Sequence, residues 1–213
     1  MILTPQQIHI FGAFSREPYR ELTYREIKQY SRKNSNSAIQ TSIAQFLSLG
    51  LVIKRELGNQ LLYSVDLTNP VVHSYFALVL YEKLPRLVLR SFSIIQRELR
   101  DIPFCSVVVF GSYAEGNEQK NSDLDIAVFV RSHDDKKRAE LGMNSAELAS
   151  LVPLDAHVFT NDELLLMLKD TKENLGKQIA YKHLVVLNPM IFYAILAEGI
   201  AHGFKIVYRK IGE

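Results

Sequence analysis

The chain has 213 residues, 47% hydrophobic and 23% charged, with a formal net charge of +2, a balance that excludes an intrinsically disordered or fibrous protein. It has no apolar run of about 18 residues and no basic-then-apolar N-terminal signal, so a cytoplasmic protein without a membrane span is expected. The single cysteine, Cys105, excludes intrachain disulfides; opening an apolar run, it reads as a small core residue rather than a nucleophile.

Charge is uneven along the chain. Residues 1–69 hold eight Lys/Arg against five Asp/Glu, a balance of +3, and residues 70–213 carry −1. Thr4 before Pro5 reads as an N-cap followed by a first-turn proline, opening a helix over 5–14 that carries Ile8, Ile10, Phe11 and Phe14. After the Glu17-Pro18 break, Thr23 and Glu26 have capping-box spacing and start a short helix to about residue 31, presenting Ile27 and Tyr30. Ser35-Asn36-Ser37 caps a third helix bearing Ala38, Ile43, Phe46, Leu47 and Leu49, which stops at Gly50. Residues 51–56 and 61–65 flank Gly58-Asn59-Gln60 and predict a β-hairpin.

Three helices followed by a hairpin, with the run LxxLGLV…GNQLLYSV, resemble the winged helix-turn-helix family over residues 4–67. The resemblance makes 36–49 a recognition helix and 51–66 a wing. It implies that Ser37, Gln40, Thr41 and Gln45 face the bases of double-stranded DNA, and that Arg32, Lys33, Lys54 and Arg55 meet its phosphates. A charge of +3 gives weak, salt-sensitive affinity for one module, so a homodimer on two half-sites is expected. Two blander readings compete: the same residues form a solvated face, or the module docks a protein or dimerises.

Asn69-Pro70 marks a boundary, and residues 71–100 run with one proline, Pro85. Leu84, Leu87, Val88, Ser91, Phe92, Ile95 and Leu99 recur at three and four, the spacing of an amphipathic helix. Residues 71–81 form either a separate helix or a kinked continuation, because proline disfavours the helical conformation of the residue before it. This segment packs one domain on the other or forms a dimer seam. Its place in the chain predicts three parts: a DNA-binding domain over 1–69, connecting helices over 70–102, and a second domain over 103–213.

From Phe104 the pattern alternates: a strand through Val107-Val108-Val109-Phe110, a Gly-Ser turn, a short helix, a strand over 124–130, a helix over 134–151, a strand over 154–159 and a helix from Asp162, capped by Thr160 and Glu163. Asp123 and Asp125 sit two apart at the edge of an apolar run, where strand geometry gives them one face. Two such carboxylates repel and resist desolvation unless a cation or a proton neutralises them, which a divalent metal does. Asp155 lies among apolar residues of the next strand. His157 shares its face and reads as a packed core residue rather than a ligand. The six histidines are scattered, without the spacing of a zinc site.

Gly111-Ser112, ten intervening residues and Asp123-Leu124-Asp125 form the segment GS-x10-DxD, with Ala114, Gly116 and Ser122 in a GS-x-A-x-G…SD-x-D frame. This segment resembles the minimal nucleotidyltransferases of the DNA polymerase β-like superfamily over residues 103–210, including a closing AEGIAHGFKIVY that looks like their terminal strand. The resemblance implies an α+β chain: an N-terminal winged helix-turn-helix plus a C-terminal mixed α/β nucleotidyltransferase domain with a polymerase β-like palm core. It makes Asp123, Asp125 and Asp155 the catalytic acids and ligands of two Mg²⁺ ions. Gly111 and Ser112 become the nucleotide-binding pair, holding the phosphates of a nucleoside triphosphate.

The implied activity is transfer of a nucleoside monophosphate to a hydroxyl of a protein or RNA acceptor. Coupled to DNA binding, it suggests an autoregulatory or antitoxin-like enzyme. The rival reading is a DNA-binding transcriptional regulator whose nucleotidyltransferase domain senses nucleotide or is inactive. The sequence departs from the small family members at Glu115, where they often carry Arg; Lys120, Lys177 and Lys182 are the candidate substitutes for that cation.

Overall fold

The first helix, α1 (Pro5–Phe11), begins with a reciprocal cap: Gln7 N–H donates to Thr4 Oγ1 at 3.3 Å and Thr4 N–H to Gln7 Oε1 at 2.9 Å. The structure is a computed structural model describing residues 2–15, 17–32 and 35–206, and the chain divides into two compact units, Met1–Lys83 and Leu84–Glu213.

In the first unit α1 is followed by β1 (Leu22–Thr23), α2 (Tyr24–Tyr30), α3 (Asn36–Ser48), β2 (Val52–Leu57), β3 (Gln60–Val65) and α4 (Pro70–Lys83). The strands form an antiparallel sheet in the order β1-β3-β2. Thr23 and Glu26 make the capping box expected from their spacing, and Arg20 ties Glu26, Glu17 and Tyr30 together at 2.7–2.9 Å. Gly50 adopts φ +63° after α3, the left-handed conformation that glycine takes at no steric cost. The core is aromatic. The Phe11 ring, fully buried, lies 5.1–5.9 Å from the rings of Phe14, Phe46, Tyr75 and Phe76. α4 therefore belongs to this unit: Tyr75 supplies a core ring and accepts the Leu3 N–H, and Lys83 Nζ donates to the Gly12 carbonyl at 2.7 Å.

The second unit begins with α5 (Arg86–Glu98), and its sheet holds β4 (Ser106–Val109), β5 (Leu124–Val130), β6 (Leu154–Thr160) and β7 (Leu184–Leu187) in the order β6-β5-β4-β7. β4 pairs antiparallel with β5 and β7, whereas β5 and β6 run parallel. A parallel pair needs a crossover, and α7 (His133–Ala149) supplies it. A five-residue helix, α6 (Gly111–Glu115), follows β4; α8 (Asn161–Lys169), α9 (Leu175–Tyr181) and α10 (Pro189–Ala201) complete the unit. β5 runs from Ile126 to Val130 without exposed surface, the sign of a strand covered on both faces. Cys105 is buried, as its apolar setting predicts. Among the described residues no helix is long and apolar enough to cross a membrane.

The expected terminal strand is corrected. Residues 197–201 of AEGIAHGFKIVY close α10, residues 204–206 join no strand, and residues 207–213 lie outside the described residues. The buried positions Phe192, Ile195, Leu196 and Gly199 recur at helical spacing behind Pro189. Gly199 lets α10 lie on α8, since a Cβ there would meet Leu168 Cδ1 at 2.7 Å. The fourth strand is β7 instead.

His183, between α9 and β7, is wholly buried. Its Nδ1 donates to the Ile179 carbonyl at 2.9 Å and its Nε2 faces the Tyr193 hydroxyl at 3.3 Å, an arrangement that suits the neutral ring. Burial pushes its pKa down to about 4. The unfolded chain therefore binds a proton that the folded chain refuses between pH 6.5 and 4. Stability from the neutral ring is complete above pH 6.5 and is lost as pH falls through that window, by up to roughly 3 kcal/mol. Urea unfolding of the full chain is expected to show this loss between pH 7 and 5, and His183→Gln to show a smaller pH dependence than the native protein.

Candidate active site

β5 carries Asp125 as its second residue and β6 carries Asp155 as its second, and the parallel register sets them opposite each other. Asp123 lies two residues earlier, just before β5, and is exposed; Asp125 is half-buried and Asp155 is exposed. The desolvation argument made from sequence thus applies to Asp125 and not to Asp123. The carboxyl of Asp125 is held above the usual carboxylate range by burial first, then by the charge of Asp155 and, more weakly, of Asp123; the Ser112 N–H opposes this by donating to it.

The Gly-Ser turn is built around that same carboxylate. The Phe110 N–H donates to the Asp125 carbonyl at 3.1 Å. Gly111 has φ +62°, and a Cβ on it would fall 2.0 Å from Asp125 Oδ2, so only glycine fits. Ser112 follows as the second residue of α6, and Gly116, at φ +75°, ends the helix by donating to the Ser112 carbonyl at 2.8 Å. Ser122 Oγ accepts the Gln119 N–H at 2.8 Å and folds the loop back towards Asp123. Gly111, Ser112, Asp123, Asp125 and Asp155 are thereby collected at one end of the β5–β6 pair.

His157 belongs to this group, although its sequence context reads as packed core. Its side chain is 40% exposed, and its Nε2 lies 3.3 Å from Asp155 Oδ1. Its ring stands 6.0 Å from that of Phe110 and stacks on Phe159 at 6.2 Å. The alternation Asp155-x-His157 puts both on one strand face, and that was the available signal.

The candidate cations fare differently. Glu115 is exposed and accepts from Asn117 Nδ2 at 2.9 Å. Lys120 is exposed on the loop. Lys177 is buried, its Nζ donating to the carbonyls of Asp170 and Lys172; it fastens a turn and is not available to a triphosphate. Lys182 caps α9 and is half-buried. Among the described residues, no three His, Cys, Asp or Glu side chains already converge as metal ligands.

In the first unit Ser37, Gln40 and Thr41 are exposed on α3, opposite a buried face of Ile39, Ile43 and Phe46, and Gln45 is half-buried. Arg32 is exposed with φ +51°. Lys54 is exposed on β2, whereas the neighbouring Arg55 is bound through its guanidinium to both carboxylate oxygens of Glu21, which offsets its charge. Lys33 lies outside the described residues.

The family model of the nucleotidyltransferase domain matches residues 93–182, a stretch that contains the Gly-Ser turn and all three acids. The match of this part of the chain to a nucleotidyltransferase domain supports a transferase of nucleotidyl groups. A solved structure titled "Crystal structure of the toxin-antitoxin with AMP-PNP" is 22% identical, covering 52% of this chain and 84% of that one, with a TM-score of 0.35. No curated protein matches the chain.

Substitution of Gly111 isolates the turn from its surroundings. Gly58 has nearly the same backbone, φ +58°, but open space where a Cβ would stand. Gly58→Ala is expected to cost only the left-handed strain, about 1–2 kcal/mol. Gly111→Ala is expected to cost more in urea unfolding, because it also displaces the Asp125 carboxylate.

Proposed function

We propose that this chain is a Mg²⁺-dependent nucleotidyltransferase that moves a nucleoside monophosphate from a nucleoside triphosphate to a hydroxyl of a protein or RNA, and that its N-terminal unit is a winged helix binding duplex DNA. The observation that carries the enzymatic reading is the crowding of Asp125 against Asp155 and Asp123, with the Gly-Ser turn closed on the same carboxylate. Three acids offset only weakly by His157 form a hard, oxygen-rich, undercompensated set, which suits Mg²⁺. Asp123 and Asp125 would hold it, with Asp155 completing the set.

When bound, the ions supply charge neutralisation for the triphosphate and the leaving pyrophosphate. The chain's own groups do the rest. Gly111 presents backbone without a Cβ, and Ser112 offers its hydroxyl, so that the β- and γ-phosphates lie against the turn. Asp155, the more exposed acid of the register pair, takes the proton of the acceptor hydroxyl. That oxygen forms its bond to the α-phosphorus as the bond from the α-phosphorus to the bridging oxygen breaks, and pyrophosphate leaves with the electron pair. His157, with Nε2 3.3 Å from Asp155 Oδ1, pairs with that carboxylate when protonated and holds it towards the acceptor.

The DNA-binding part of the proposal is supported by the solvent face of α3, where Ser37, Gln40 and Thr41 stand together, and by Lys54 on β2. With Arg55 engaged by Glu21 the basic surface is modest, so two copies on paired half-sites suit it better than one. Glu115 favours a second reading, a nucleotide-sensing regulator, because it places an acid where an incoming triphosphate would meet it. An antitoxin-like role belongs to the first reading and rests on the sequence resemblance alone.

Incubation with α-labelled nucleoside triphosphates, Mg²⁺ and cell lysate is expected to label a protein or RNA, and Asp123→Asn and Asp125→Asn to lower that labelling by at least about 100-fold. Nucleotide binding without labelling would support the sensor, and unchanged labelling in both variants would remove the assigned acids. Retention of duplex DNA at low salt is expected to weaken in Lys54→Glu; equal retention would remove the DNA-binding surface.

A further inference from the structure

β6 is the outer strand of the second sheet, so among the described residues one of its edges has no neighbouring strand. The Leu124 N–H donates to the Pro153 carbonyl at 2.8 Å, and this fixes which backbone groups point where. In a parallel ladder the residues that bond the neighbour alternate. Asp155, His157 and Phe159 therefore turn their N–H and C=O groups towards β5, and Ala156 and Val158 turn theirs away from it. At the far end the Thr160 N–H is taken by Glu163 Oε2 at 2.8 Å, which closes the edge there.

The open edge lines a cleft of about 290 Å³ between β6 and α7. Glu140, Asn144 and Glu147 stand on α7 at i, i+4 and i+7, exposed along its rim, with Met143 buried beneath them. The cleft's one lysine, Lys136, is neutralised by both oxygens of Glu163, at 2.7 and 2.8 Å. Among the described residues the cleft is thus an unpaired strand edge with an acidic wall, and Asp155 precedes its first β6 residue, Ala156, on the same strand.

We propose that this edge docks the acceptor: an extended, basic segment of a partner polypeptide adds to β6 as a fifth strand and delivers its hydroxyl to Asp155. The inference deepens the reading of the preceding subsection and rests on it for the chemistry, but not for the binding. Backbone pairing to Ala156 and Val158 supplies register, and side-chain alternation then supplies specificity. A side chain opposite Asp155 shares the face of the acids, so the hydroxyl belongs there. Side chains opposite Ala156 and Val158 emerge on the other face, towards Glu140 and Glu147. The segment that fits carries a Ser, Thr or Tyr with Lys or Arg one and three positions away.

The test uses the full chain and a fluorescein-labelled ten-residue peptide with one tyrosine, lysines one and three positions from it on both sides, and valine or threonine between. Anisotropy without nucleotide is expected to show binding that falls at least tenfold in the double variant Glu140→Lys, Glu147→Lys. The same loss is expected in Ala156→Pro, which removes one outward N–H, and with a peptide whose lysines stand two and four positions from the tyrosine. Circular dichroism melts establish that each variant is folded; the charge reversals, at exposed helix positions, keep the test open if the proline variant unfolds. No binding, or equal binding by the shifted peptide and by the charge-reversed protein, overturns the proposal. Binding with no transfer of label to the tyrosine supports the docking and removes the enzymatic reading. Label transfer to an acceptor that is indifferent to these variants overturns the docking and leaves the enzymatic reading standing.

Discussion

Like charges brought together around one half-buried carboxylate are the constraint on which the second unit turns. Asp125 is half-buried, faces Asp155 across a parallel ladder and has Asp123 two residues away, so its charged form is disfavoured on three counts. The protein's internal answer is small: the Ser112 N–H and, more weakly, His157. The turn that provides the N–H exists only because residue 111 lacks a Cβ. Neighbouring acids and a backbone donor thus meet at one carboxylate, and the fold accepts local repulsion in order to hold it there.

Strand direction makes the cluster possible. Asp125 and Asp155 are each the second residue of their strand, and parallel pairing brings equal positions side by side. An antiparallel pair would have put the two acids at opposite ends of the sheet. The crossover helix that parallel pairing demands, α7, also shapes the cleft along the outer edge of β6. The acid cluster and the cleft therefore share one structural cause. The burial of β5 stiffens the arrangement: Ala127, opposite His157, is small and fully buried, and Phe129 packs at 5.3 Å on Phe192 of α10.

Where side-chain pattern determines structure, the sequence was readable. Capping pairs Thr23/Glu26 and Thr160/Glu163, Gly50 at a helix end and the apolar run of β5 all form as their residue types predict. The closing segment was misread because Ile195, Leu196 and Gly199 satisfy a helical period that a short apolar run does not reveal by itself. Two-residue β1 and four-residue β7 are too short to carry a period. The candidate site's turn was legible through GS-x10-DxD, since Gly111 and Asp125 interlock locally. Lys177 was not, because its backbone partners, Asp170 and Lys172, come from a turn with no sequence signature. Nor was the partnership of Arg55 with Glu21, which are 34 residues apart.

The acids at the head of β5 and β6 are proposed to form one cation site. Paramagnetic broadening of backbone amide signals by substoichiometric Mn²⁺, with a non-hydrolysable nucleoside triphosphate present, reads this directly. Broadening is expected at Gly111, Ser112, Asp123, Asp125 and Asp155, and to be competed away by Mg²⁺. Broadening elsewhere in the chain, or none at these residues, would contradict it.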